Sequence, residues 1–203
     1  MMTIRTEAEH SARMKKLQAA QHRKFATKTV EKGLVIVNTG PGKGKSTAAF
    51  GMAVRAIAHG MKVGIVQFVK GSKAIGERSF FARFPDEIAF TSIGEGFTWD
   101  TQDRARDIAM ARLAWDEVKR MIADPSYRLV IADELNIVLR YDYLPVDEVL
   151  AALAAKPAMT HVAITGRNAP QALIDAADLV TEMVMIKHPF RDQNVKAQPG
   201  IEY

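Results

Sequence analysis

The chain has 203 residues, 48% hydrophobic and 25% charged, with no cysteine and a formal net charge of +5. That length suits one globular domain able to bury roughly 70% of the surface its unfolded form exposes, and the missing cysteines exclude disulfides, zinc–thiolate sites and iron–sulfur ligation. No apolar segment approaches a membrane span and the N-terminal residues lack the apolar stretch of a signal peptide, so the expectation is a soluble cytoplasmic protein without membrane partners.

In chain order, the first segment is a basic arm, residues 1–32. It holds Arg5, Arg13, Lys15, Lys16, Arg23, Lys24, Lys28 and Lys32 against Glu7, Glu9 and Glu31, a net of +5, which leaves 20 basic and 20 acidic residues in the other 171. Met14, Leu17, Ala20 and Phe25 recur near helical spacing, which predicts a weakly amphipathic helix that docks on something. Charge of this kind suits nucleic acid, anionic lipid or a polyanionic small molecule, and equally a plain solvated leader.

Residues 33–203 form the second predicted unit. Strands are expected at Leu34–Asn38, Val63–Phe68, Ile88–Thr91, Leu129–Ala132, His161–Thr165 and Leu179–Met185. Helices are expected at Ser46–His59, Gly76–Phe84, Thr101–Ile122, Val146–Ala155 and Pro170–Ala176, with Pro145 where a first helical residue tolerates it. Strands that are nearly all apolar, alternating with amphipathic helices, predict an α/β fold with a mainly parallel sheet covered on both faces. The tail "KHPFRDQNVKAQPGIEY" reads as irregular.

The segment "TGPGKGKS", Thr39–Ser46, joins the first strand to the first helix of this unit. Strand, Gly-rich turn and helix together mark a phosphate-binding loop, although the glycine expected five positions before the Gly44-Lys45 pair is displaced by one, to Gly40. Gly40, Gly42 and Gly44 let successive amides converge on an anion, and the helix adds its positive end. Lys45 would neutralise phosphate oxygens and the Ser46 hydroxyl would ligate Mg²⁺. "RLVIADELN" ends a buried strand in Asp133-Glu134 at the carboxyl edge, where nucleotide folds hold their metal. Together these features predict a single P-loop NTPase-like (RecA-like) domain.

Three features resist ordinary phosphate cleavage. The displaced glycine tightens the loop. In "GEGFTWDTQ", Phe97 and Trp99 are two apart after Gly94 and Gly96, so in extended chain both rings face one side, as a platform for a flat ligand or as core aromatics. In "ITGRN", Arg167 follows a strand at the same edge and is placed either to clamp phosphate or to face solvent.

The segments "GLVIVNTGPGKGKSTAAFGMAVRAIAHGMKVGIVQFVKG", "GFTWDTQ", "VIADELN", "YDYLP", "ITGR" and "VKAQPGIEY", in order from Gly33 to Tyr203, resemble the ATP:co(I)rrinoid adenosyltransferases. The resemblance implies a P-loop α/β enzyme, usually a homodimer, that transfers the 5′-deoxyadenosyl group of ATP to the Co(I) centre of cob(I)yrinic acid a,c-diamide or cob(I)alamin and releases triphosphate. The nucleotide would lie reversed in its loop, leaving C5′ open to attack. By the same resemblance Thr39, Gly40, Pro41, Gly42, Lys43, Gly44, Lys45, Ser46 and Thr47 hold the triphosphate, Ser46 and Glu134 serve Mg²⁺, and Arg55 and Arg167 lie near the nucleotide. Phe97 and Trp99 would sit beneath the corrin and help exclude its lower axial ligand, with reduced flavin or flavodoxin as electron donor. Pro41 departs from the asparagine common in the family and removes one loop N–H. No general base is required, and His59 and His161 are read as structural. The alternative from another class is a nucleic-acid-dependent P-loop ATPase, using the basic arm on phosphates and Glu134 to orient water. Against it, the domain has no second basic stripe.

Overall fold

The computed structural model describes residues 6–69, 75–93 and 103–203. The chain divides into two compact units, Met1–Glu31 and Lys32–Tyr203. The first contains helix α1, Glu7–Ala26, whose start is a capping box. Thr6 accepts from the Glu9 amide through its hydroxyl while the Glu9 carboxylate accepts from the Thr6 amide. None of its residues is buried.

The second unit is built on six parallel strands in the order β3-β2-β4-β5-β1-β6. They are β1 Val35–Thr39, β2 Lys62–Gln67, β3 Ile88–Ser92, β4 Tyr127–Asp133, β5 His161–Thr165 and β6 Leu179–Glu182. Among the described residues the helices of this unit are α2 Lys45–Ala58, α3 Gly76–Phe81, α4 Arg104–Ala123, α5 Leu135–Arg140, α6 Val146–Ala154, α7 Gln171–Ala176 and α8 Pro189–Gln193.

Period-two alternation along the central strands builds two cores. Ile36, Ile65, Leu129, Ile131 and Ala163 face α2 and α3, meeting Ala49, Phe50, Ala53 and Phe81. Val35, Val37, Val130, Ala132, Val162 and Ile164 face the other way, against Ala111, Ala114, Trp115, Val118, Met121 and Ile122 of α4 and Val149, Leu153 and Leu173 beyond it. The α4 set recurs at helical spacing, so one face of the longest helix in this unit is committed to the sheet. The expected parallel sheet with helices on both faces is what forms.

The departures have local causes. Six residues after Glu134 form α5 where no helix was expected; Leu135, Asn136, Val138 and Leu139 are buried there at helical spacing, but a run this short after a strand reads as continued apolar chain. The last strand is four residues, not seven, and exposed throughout; it is an edge strand, paired with β1 on one side. Pro145 stands at the N-cap of α6 rather than inside it. His188 caps the short helix α8 within the tail, accepting from the Phe190 amide through Nδ1.

Trp115 is 1% exposed and its Nε1 meets no acceptor among the described residues. Trp115→Ala is therefore expected to cost about 3–5 kcal/mol through lost packing. Trp115→Phe, which removes an unsatisfied donor along with some volume, should cost less than half as much. Urea unfolding of the two variants measures the difference.

Candidate functional site

Parallel pairing carries the C-terminal ends of β1, β5 and β4 to one edge, with β5 in the middle. Three chain segments leave the sheet there: the loop after Thr39, the turn at Gly166-Arg167 and the turn at Glu134.

The loop after β1 curls through Gly40, at φ +93°, and Gly44, at φ +105° and the N-cap of α2. Both conformations are costly for a side chain. Its outer flank leans on the chain following β6. The Gly42 amide donates to the Met183 carbonyl at 2.6 Å, and the Met183 amide donates to the Thr39 carbonyl at 2.9 Å. A Cβ on Gly42 would stand 2.6 Å from that Met183 oxygen, so only glycine fits. The Gly42 N–H is thus turned outward, and Pro41 has none. The amides left to an anion are those nearer the helix, where Lys45, Ser46 and Thr47 have no carbonyl within α2 to meet.

Lys45 is 6% exposed and curls back so that its ammonium donates to the Gly42 carbonyl. Burial pulls its pKa below 10.5; Glu134 and Asp133 oppose that pull, and Arg167 and Lys43 add to it. The loop lysine, both carboxylates and the β5-end arginine are therefore within electrostatic reach of one another. Lys43, half exposed, forms an ion pair with Glu202 of the C-terminal segment, a contact that nothing in the sequence signalled. A buried lysine beside opposite and like charges suits an anion chemically, because a phosphate would supply the charge that burial withholds.

Asp133 and Glu134 have different surroundings. Asp133 is fully buried, accepting from Gln67 Nε2 at 2.8 Å and from the Thr165 hydroxyl at 2.8 Å. Glu134 stands in the left-handed region at φ +65°, its amide donating to the Thr165 hydroxyl at 2.9 Å. Gly166, at φ +126°, lies beside it: a Cβ there would sit 2.9 Å from the Asn136 Cβ and 3.3 Å from Glu134 Oε2. Asn136 donates to the Gly166 carbonyl at 2.9 Å, while its Oδ1 is buried with no partner among the described residues.

The edge therefore gathers Thr39, Gly40, Pro41, Gly42, Lys43, Gly44, Lys45, Ser46, Thr47, Glu134 and Arg167. Arg55 is not gathered with them: it is exposed in the last turn of α2, ten residues from Lys45 and so roughly 15 Å along the helix axis. Phe97 and Trp99 lie outside the described residues. Gln67, Thr165 and Asn136 escaped the sequence reading; their one signal was a polar residue closing or following an otherwise apolar strand.

The two histidines sit away from this edge. His59 follows α2 as its C-cap, and His161 opens β5 with Nδ1 accepting from the Leu34 amide at 3.1 Å. Burial, with Arg128 and Lys156 nearby, holds the His161 imidazole below its ordinary 6.5. As pH falls the unfolded chain takes up this proton first, so the contribution to stability is complete above 6.5 and declines from there toward the folded value. Urea midpoints should thus fall between about pH 7.5 and about pH 5.5, and less steeply in His161→Asn, which keeps an acceptor but does not titrate.

A family model described as ATP:corrinoid adenosyltransferase BtuR/CobO/CobP matches residues 31–203. The chain is 57% identical over 199 residues to a corrinoid adenosyltransferase of Sinorhizobium sp, covering 97% of this chain and 92% of that protein. It is 51% identical over 197 residues to one of Pseudomonas aeruginosa, covering 97% of each. To the corrinoid adenosyltransferase CobA of Salmonella typhimurium it is 44% identical over 198 residues, covering 98% of this chain and all of that protein.

Proposed function

The chain belongs to the ATP:corrinoid adenosyltransferase family, and on that premise we propose that it transfers the 5′-deoxyadenosyl group of ATP to the Co(I) centre of a corrinoid, cob(I)yrinic acid a,c-diamide or cob(I)alamin. The observation that carries the reading is a likeness running through nearly the whole chain, phosphate loop and both carboxyl-edge turns included. None of the relatives compared supports the nucleic-acid-dependent ATPase.

In the reaction the cobalt electron pair attacks C5′, the bond from C5′ to the α-phosphate oxygen breaks, and its electrons leave with the triphosphate. The chain has to hold the triphosphate, leave C5′ exposed and stabilise the departing charge. Lys45 meets the last of these needs. Its ammonium, held among Glu134, Asp133, Arg167 and Lys43, would exchange the Gly42 carbonyl for phosphate oxygens. The first-turn amides of α2 would take the remaining oxygens, with Arg167 at the β5 end as a second cation. Arg55 would act on the nucleotide only from outside the loop.

Mg²⁺ fits the residues present. It characteristically takes one or two protein oxygens and fills its shell with phosphate oxygens and water. Ser46 and Glu134 supply such a pair, and no cluster of three His, Cys, Asp or Glu occurs among the described residues to demand another metal. When bound, the ion would neutralise charge on the leaving triphosphate. Phe97 and Trp99 are assigned to the corrin's lower face. We place the enzyme in the cytoplasm as a homodimer fed by reduced flavin or flavodoxin, in keeping with the family resemblance. No helix among the described residues is long and apolar enough to cross a membrane.

³¹P NMR of an anaerobic mixture of protein, Mg-ATP and chemically reduced cobalamin, beside a corrinoid-free control, tests the reading. Free triphosphate is expected only with the corrinoid; ADP and phosphate in both tubes would return the loop to ordinary hydrolysis. Lys45→Ala should abolish turnover. Trp99→Ala should slow adenosylation of cob(II)alamin under weak reductant far more than that of prepared cob(I)alamin, and equal losses would remove the lower-ligand role.

A further inference from the structure

We propose that Thr165 is the positioning residue for the Glu134 carboxylate, and that Asp133 acts on the site through Thr165 rather than by touching the nucleotide or its metal. The proposal rests on the reading above, in which Glu134 serves Mg²⁺.

The strand order puts Thr165, the last residue of β5, between the phosphate loop and the end of β4. Its buried hydroxyl has two partners at once. It donates to Asp133 Oδ1 at 2.8 Å and accepts from the Glu134 amide at 2.9 Å. Its proton is thus committed to the carboxylate, and its lone pair turns toward the amide of the next residue along the chain from β4.

That amide belongs to a residue in a costly conformation. A non-glycine side chain at φ +65° is strained, and the left-handed turn persists only if its surroundings over-determine it. The Thr165 hydroxyl supplies one fixed point. The turn at Gly166 supplies another, since it lies so near Asn136 and Glu134 Oε2 that no side chain fits there. The carboxylate is thereby held within electrostatic reach of Lys45.

Asp133 is adjacent in sequence but differently engaged. With 0% exposure and one oxygen each on Gln67 and Thr165, it is already engaged inside the sheet, and a ligand would compete with both contacts. Gln67 closes β2 and its carbonyl also accepts from the Ile93 amide at 3.1 Å. Asp133 therefore ties the ends of β2, β4 and β5 together and fixes the rotamer of the hydroxyl that holds Glu134. Partners that orient a metal carboxylate typically change metal affinity ten- to a hundredfold when removed, without being ligands themselves.

The test is calorimetric titration of the full chain with inorganic triphosphate, without Mg²⁺ and across a Mg²⁺ series, for wild type, Glu134→Gln, Thr165→Val and Thr165→Ser. Thr165→Val should need about ten- to a hundredfold more Mg²⁺ to tighten triphosphate binding while its Mg²⁺-free binding stays at the wild-type level. Thr165→Ser, which keeps the hydroxyl, should restore the wild-type Mg²⁺ requirement. If the valine variant does not fold, Thr165→Ala reads the same loss. An unchanged Mg²⁺ requirement in the variants lacking the hydroxyl would overturn the proposal. So would an equal loss with and without Mg²⁺, since that describes general damage to the loop. If Glu134→Gln itself leaves the Mg²⁺ requirement unchanged, the assignment of Glu134 beneath the proposal is what fails.

Discussion

The end of β5 lies between the ends of β1 and β4, and the geometry of the site follows from that adjacency. In a parallel sheet every strand delivers its C-terminus to the same edge, so strands distant in sequence become neighbours at the point where their loops begin. Here β1 brings the phosphate loop, β4 brings Asp133 and Glu134, and β5 brings a hydroxyl that bridges Asp133 and the Glu134 amide and, just beyond its end, an arginine within electrostatic reach of Lys45. A strand order with β5 elsewhere would leave Asp133 and the Glu134 amide without the bridge that joins them.

The phosphate loop shows how a departure from the common pattern is absorbed. Proline at position 41 removes one amide, and the neighbouring Gly42 amide is spent on Met183, so this outer half of the loop is a structural corner held against the chain after β6. In the proposed reading, anion recognition would fall to the helix-side half, with the first-turn amides and Lys45. The displaced glycine and the proline are consistent with each other on this account. Both belong to the half of the loop that turns the chain and contacts the segment after β6.

Much of this was legible in the residues. Alternation of apolar strands with amphipathic helices is a local signal, and all six expected strands and five expected helices of the sheet unit form, with ends shifted by a few residues. That glycines 40, 42 and 44, Lys45 and the Asp133-Glu134 pair would come to one sheet edge was readable because each follows or closes an apolar strand of a parallel sheet. The short helix α5 escaped because six residues are too few to show a period. The exposure of β6 escaped because burial depends on neighbours: Leu179 and Val180 look like core until their strand is found at the sheet's edge.

The fold class, the phosphate loop and the carboxylate turn were thus written in the chain's own order of residues, since each depends on positions close together along it. Folding in three dimensions settled the rest: that Thr165 and Gln67 hold Asp133, that Glu202 reaches Lys43 across 159 positions, and that Arg55 stands apart from the edge. Those relations join residues far apart in sequence through strand order and side-chain direction, and no spacing along a single segment encodes either.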